Sequence, residues 1–410
     1  MTEFFNVQPV HHALETLFSR WTPQLRTETL DPRLALGRVL AAAPLSPLDL
    51  PTFTRSTMDG YAVRAADTFG ASQSLPAYLT VVGQVAMGSE PTFTVNQGQA
   101  AEIHTGAMLP PGTDAVVMIE RTQAMNEREI EVFAPVAPGE NAVQIGEDVA
   151  QGEAVLPTGH RIRPQDIGGL LAVGILAVEV ATPLRVGILS CGDELVAPEA
   201  TPALGQIRDI NAYTLAALVR QVGGEPVVLG IARDNMDDFL SRAEAGFREA
   251  DMLVITAGSS VSARDLTATV INRLGKPGVI QHGLAVKPGK PTILAICDNK
   301  PVIGLPGNPV SALLVARQIV VPIMKRALGE TSSYTATIHA TLSNNIPSTT
   351  GREDSVPVRL VERDGALFAE PIFGKSNLIL TLVKADGLVQ IPLNSNGLRA
   401  GAPVEVIPFA

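Results

Sequence analysis

Hydrophobic and polar positions change period several times along this 410-residue chain. Near its start Val10, Leu14, Leu17 and Trp21 recur at steps of three and four, which predicts a helix within the first 26 residues. From Leu30 to about Asn141 the apolar runs shorten, as in AYLTVVGQVAM and DAVVMIE, with Pro and Gly turns between them. That texture predicts a small β-rich domain. Residues 143 to 181 carry GEDVAQGEAVLPTGHRIRPQDIGGLLAVGI, short strands punctuated by Gly before a helix-compatible segment.

Residues 184 to 330 switch period regularly. LRVGILS, EPVVLGIA and DMLVITAG read as strands, each followed by a helical pattern: NAYTLAALVRQVG, MDDFLSRAEAGFREA and DLTATVINRLG. Strands near AVKPGKPTILAI and KPVIGLP then precede a final helix through SALLVARQIVVPIMKRAL. Such alternation predicts an α/β unit whose mostly parallel sheet is covered on both faces. From about residue 331 to 410 short alternating runs return (TATIHATL, VPVRLVE, LVQIPL, APVEVIPF), and a small β-domain is expected there.

In an open parallel sheet, ligands bind beyond the carboxyl ends of the strands. The loops at those ends are Cys191-Gly192-Asp193-Glu194, Arg233-Asp234-Asn235, Gly258-Ser259-Ser260 leading to Asp265, Lys287-Pro288-Gly289-Lys290, and Gly307-Asn308-Pro309. Asp193, Glu194, Asp234 and Asp265 are hard oxygen ligands that suit Mg²⁺, which is commonly held by one or two carboxylates together with substrate phosphates. Lys287 and Lys290 would neutralise phosphate or oxyanion charge, and backbone N–H groups at Gly turns and helix N-termini would orient it. Phosphoryl or adenylyl chemistry needs little beyond positioning and charge. Taken singly, each acid also fits a helix N-cap or a solvated turn. Five successive strand-end loops of this kind favour a site.

Composition narrows the classes. A net charge of -10 without a long basic run argues against nucleic acid as partner. Cys191 and Cys297 are the two cysteines, with no CxxC and no zinc spacing, which fits a reducing compartment. The N-terminus lacks a signal-peptide pattern, and the longest uncharged apolar stretch, Ile167 to Val178, is too short to span a bilayer, so a cytoplasmic protein is expected. GxGxxG, GxxxxGK[ST] and GxSxG are absent. Cys191, at a strand end, reads as a buried inert thiol rather than a nucleophile.

The stretches STMDGYAVRAAD (56–67), TGAMLPPGTDAVVMIE (105–120), CGDEL (191–195), GQIRDINAYTL (205–215), AVKPGKP (285–291) and GLPGNPVSAL (304–313) resemble, in order and over nearly the whole chain, the molybdopterin molybdenumtransferases of the MoeA and gephyrin E-domain family. The resemblance implies insertion of molybdate into adenylylated molybdopterin with release of AMP, assisted by Mg²⁺. It implies an elongated homodimer and contact with the molybdopterin adenylyltransferase, while charge and apolar-run length argue against a nucleic acid or membrane partner. Four domains are expected: a discontinuous elongated domain (1–26 and 143–181), an inserted β-rich domain (27–142), an α/β molybdopterin-binding domain (182–330) and a C-terminal β-barrel (331–410). The cleft would lie between the inserted domain of one subunit and the last two domains of the other. Asp59, Asp193, Glu194, Asp234 and Asp265 are then expected as catalytic, the last four as metal ligands. Thr105, Gly258, Ser259, Ser260, Lys287, Lys290, Pro306, Asn308, Arg352 and Ser376 are expected to bind pterin or oxyanion. Three stretches depart from the family: its TGDEL is CGDEL, its SGGVSVGExD loop is AGSSVSARD, and its Phe-containing segment after GlyArg is EDSVPVRL.

Other readings compete. A family relative could keep the pterin pocket yet serve as a carrier or scaffold without catalysis; intact acids and lysines at every strand end argue against that. An adenylyltransferase acting one step earlier is disfavoured by the MDGYA region and the additional domains. Tungstate in place of molybdate is an open alternative.

Overall fold

The computed structural model describes residues 7–258, 261–331 and 336–409, with the side chains of 261–263 left aside. Helix α1 (Val10–Arg20) forms where the three-and-four spacing placed it, burying Ala13 and Leu17 completely. Its apolar face joins the core of the α/β unit, beside Ile303, Val315 and Ile319. Trp21 follows, its indole N–H donating to the Asn299 carbonyl at 3.1 Å. The opening helix therefore packs on the α/β unit rather than within the discontinuous domain expected for 1–26, because that unit offers the apolar surface its stripe needs.

Strand Thr27–Leu30 pairs antiparallel with Val178–Ala181, and isolated bridges join Val39 to Arg161, Leu40 to Val180 and Leu50 to Val149. Helix α2 (Pro164–Ala172) lies over this layer, burying Leu170 against Leu40, Ile162 and Val180. These pairings draw residues 27–50 toward 149–181 and set the edge of the inserted unit nearer residue 51 than the expected 27. The inserted unit is a six-stranded sheet in the order Ala115–Met118, Gly60–Val63, Gln99–Ile103, Ala77–Gln84, Glu129–Val132, Thr122–Asn126. Gly60 is demanded by close approach: a Cβ there would sit 2.0 Å from the Val117 carbonyl oxygen.

The α/β unit has a six-stranded sheet ordered Glu225–Ala232, Arg185–Cys191, Met252–Ala257, Lys300–Pro306, Ile293–Cys297, Pro277–His282. The first four are parallel, whereas the last two run antiparallel to their neighbours. Alternate side chains of each strand enter opposite cores. Val186, Ile188, Val254 and Ile303 face α1, α3 (Asn211–Val222) and α6 (Pro309–Ala327). Leu189, Leu253, Ile255 and Val302 face α4 (Met236–Glu249) and α5 (Val261–Leu274).

Strands Glu353–Arg363, Ala366–Pro371, Ile338–Leu342, Pro403–Pro408 and Gly387–Ile391 pair in that order, and the last pairs back with the first, closing a five-stranded barrel. A two-residue strand, Val286–Lys287, leaves the α/β unit and adds to this barrel, parallel to Glu353–Asp354. Among the described residues no helix is long and apolar enough to cross a membrane.

Candidate active site along the strand ends

The KPGKP loop closes on itself through Leu284 N–H donating to the Lys290 carbonyl at 2.8 Å. Gly289 has φ +115°, and a Cβ there would meet Val315 Cγ2 of α6 at 2.1 Å, so glycine alone lets this loop lie on the helix. Glu353 N–H donates to the Ala285 carbonyl at 2.8 Å, fastening the loop to the barrel. Between loop and barrel opens a cavity of about 780 Å³. Lys287, Lys290, Pro306, Asn308, Arg352 and Ser376, all expected from the sequence, line it. Val310 and Ser311, in the first turn of α6, line it too, so a helix N-terminus adds its dipole to the cations. Ser376 is docked on that terminus: its carbonyl accepts from Val310 N–H at 3.1 Å and its hydroxyl accepts from Asn308 Nδ2 at 3.0 Å.

Acids occupy the other end of the same edge. Asp234 N–H donates to Asp193 Oδ1 at 3.2 Å, while Asp193 N–H approaches Asp234 Oδ2 at 3.4 Å. The N-cap of α4 is Asn235, whose side chain accepts from Asp238 N–H, so the capping explanation does not apply to Asp234. Asp265 lies inside α5, past its first turn, and is exposed. The Glu194 carboxylate folds over Gly192, 2.5 Å from where a Cβ would stand. Asn211, at the start of α3, donates to the Gly307 carbonyl at 2.8 Å, tying two strand-end loops together. Gly258 ends the Met252–Ala257 strand in the same row, and Ser259 and Ser260 lie outside the described residues.

Cys191 is 2% exposed, and its S–H donates to Asp234 Oδ1 at 3.3 Å. Burial, helped by the Asp234 carboxylate, pushes this thiol far up, so it stays protonated at neutral pH. A protonated thiol is a poor nucleophile.

Mg²⁺ fits this end in donor chemistry. Two exposed carboxylates are locked against each other, leaving further positions to water and substrate phosphate. Among the described residues no three His, Cys, Asp or Glu side chains converge as a protein-only cage.

Asp59 and Thr105 come together within the inserted sheet. Thr105 donates its N–H at 2.8 Å and its hydroxyl at 3.1 Å to Asp59 Oδ1. The Thr105 backbone bond, with the hydroxyl and nearby His104 adding to it, holds the exposed Asp59 carboxyl below its ordinary range. Neither residue lines the cavity of its own chain.

Two charged residues of the cavity were not foreseen. Asp354 is buried in its wall, and Lys375 is exposed beside Ser376 with no partner among the described residues. The spacing Arg352-Glu353-Asp354 was a legible signal for the first, since residues two apart share one face of a strand. No pattern marked Lys375.

Comparison with known proteins agrees with this architecture. Residues 8–174 match the MoeA N-terminal region (domain I and II), 187–326 a probable molybdopterin binding domain, and 339–409 the MoeA C-terminal region (domain IV). A putative molybdopterin biosynthesis protein of Methanocaldococcus jannaschii is 34% identical over 414 residues, covering 98% of each chain. The molybdopterin molybdenumtransferase of Haemophilus influenzae is 33% identical over 388 residues, covering 94% of each. A molybdopterin biosynthesis MoeA protein from Pyrococcus horikoshii OT3 superposes with a TM-score of 0.84 at 31% identity, over 98% of this chain and 100% of that one. The chain belongs to the MoeA family.

Proposed function

We propose that the chain inserts molybdate into adenylylated molybdopterin, with cleavage of the adenylate to AMP, as a cytoplasmic homodimer. The observation that carries this is the separation of charge along one sheet edge. Strands lie about 4.8 Å apart, so Arg185–Cys191 and Ile293–Cys297, three steps apart in the sheet, stand roughly 14 Å apart. Acids sit beyond the first and cations before the second. An extended substrate bearing a phosphate at one end and receiving an oxyanion at the other matches that spacing.

In this reading Lys287, Lys290, Arg352 and Ser376 bind molybdate and the neighbouring anionic groups, while Asp193, Glu194, Asp234 and Asp265 serve the phosphate end. Mg²⁺, when bound by Asp193 and Asp234, neutralises phosphate charge there. Gly258, Pro306 and Asn308 orient the pterin, and Asp59 with Thr105 would complete the cleft of the partner subunit. The test is AMP release from adenylylated molybdopterin in the presence of Mg²⁺, with molybdate, tungstate or neither. Oxyanion-dependent AMP supports insertion, and the more effective oxyanion identifies the natural one. Binding of the pterin nucleotide with the same negligible AMP release in all three arms would instead establish a carrier.

A further inference from the structure

Among the described residues lining the cavity, Asp354 is the one acid, against four cations: Lys287, Lys290, Arg352 and Lys375. Its side chain is 4% exposed. Oδ1 accepts from Arg352 Nε at 2.9 Å, Oδ2 accepts from Arg352 Nη2 at 3.4 Å, and Lys287 Nζ stands 4.0 Å from Oδ2. The two cations arrive from different units, Lys287 on the strand that the α/β unit lends to the barrel and Arg352 at the edge of the barrel itself. Ladder register places Lys287 directly beside Asp354, so backbone pairing and side-chain pairing fix the same geometry.

A carboxylate in an anion pocket weakens attraction for the ligand, and burying a charge is costly unless it is paired. Asp354 meets the second condition through Arg352 and does nothing for attraction. What it supplies is orientation, because a guanidinium gripped through two nitrogens presents its remaining N–H groups in one plane.

We infer that Asp354 is a positioning residue for oxyanion insertion, aiming Arg352 and Lys287 at one point across the α/β–barrel border while lowering the net charge of the pocket. This rests on reading the cavity as the oxyanion site. It predicts opposite signs for binding and turnover. Asp354→Asn keeps the shape but removes the charge that opposes the anion and one of the two acceptors that grip Arg352. Tungstate affinity, titrated calorimetrically without turnover, should stay equal or tighten by about 2- to 5-fold, while kcat for AMP release falls roughly 10- to 100-fold, the cost of about 1 Å of misplacement. Asp354→Glu, which restores the charge, should recover part of kcat.

Wild-type kcat in Asp354→Asn would overturn the inference. So would tungstate affinity and kcat falling together with the melting temperature, the pattern of a residue that only holds the wall. Should Asp354→Asn not fold, Asp354→Glu decides alone: reduced kcat with retained tungstate affinity supports positioning, and wild-type kcat refutes it. If the wild-type protein binds tungstate but releases no AMP, the proposed function fails, and the inference falls or stands on the calorimetric arm: Asp354→Asn binding tungstate more weakly than wild type refutes it.

Discussion

The two ends of the strand-end edge are built differently. At the cation end the groups line a cavity, and two of them share one buried carboxylate supplied by a neighbouring barrel. At the acid end Asp193 and Asp234 stand exposed, held by each other's backbone N–H groups and by a buried thiol. One end is shaped before any ligand arrives. The other offers oxygen donors whose arrangement substrate phosphate and metal would complete. The difference follows from the charges: cations gathered around one cavity need a counter-charge to fix their directions, whereas the two acids are held by backbone donors and stay open to water.

The largest expected effect breaks the comparison open across subunits. If the proposed cleft is shared between subunits, Asp59→Ala and Lys287→Ala proteins should each lose at least about 100-fold in AMP release, since each would remove one side of every cleft. A verified heterodimer of the two restores one intact cleft under C₂ symmetry and should recover up to half of wild-type activity. Heterodimers no more active than their parents would show that the cleft is built within one chain.

A carboxylate used for stability gives a sharper contrast. Asp166 is 4% exposed, receives Arg163 N–H at 2.8 Å and is bonded by His160 Nε2 at 2.6 Å. Burial pushes its carboxyl up, but the bonds from Arg163 and His160 outweigh burial and hold it at about 2. Its folded value lies below the unfolded value of about 3.9, so its stabilisation, about 2 kcal/mol, is full above pH 4 and is lost as pH falls through about 2. Asp166→Asn should therefore lower unfolding free energy by that amount at neutral pH, with the gap to wild type closing near pH 2, and leave kcat unchanged. A gap of the same size at pH 2 would contradict the assignment.

The smallest effect concerns the thiol. Cys191→Ser keeps a donor toward Asp234, and kcat/KM should stay within about 3-fold of wild type. A loss beyond about 100-fold would make Cys191 a nucleophile and overturn the view that it only supports the acid end.

Much of this was legible in the sequence for a physical reason. A sheet buried on both faces forces strand and helix periods to alternate, so the order of elements from Arg185 to Ala327 follows the residue pattern. Lys287, Lys290 and Asn308 were found because Gly and Pro loops at strand ends announce themselves, whereas Ser376 came only from the family resemblance. Strand direction was not legible: Pro277–His282 begins inside a Lys-Pro-Gly stretch that reads as a turn, and nothing local marks Ile293–Cys297 as antiparallel. Nor was the seat of α1 on the α/β core, since an amphipathic stripe shows that a helix needs cover and not whose. Asp354 was passed over although Arg352 stands two positions before it; its second partner, Lys287, 67 positions away in the chain, is adjacent only through β-pairing.

The most direct measurement is AMP release from adenylylated molybdopterin by the wild-type protein, Asp234→Asn and Lys287→Ala, side by side with and without molybdate. The account predicts molybdate-dependent release by the wild type and a loss of at least about 10-fold in both variants, with excess Mg²⁺ recovering part of the activity of Asp234→Asn alone. Release by the wild type that is equally negligible with and without molybdate, or wild-type rates in either variant, would contradict it.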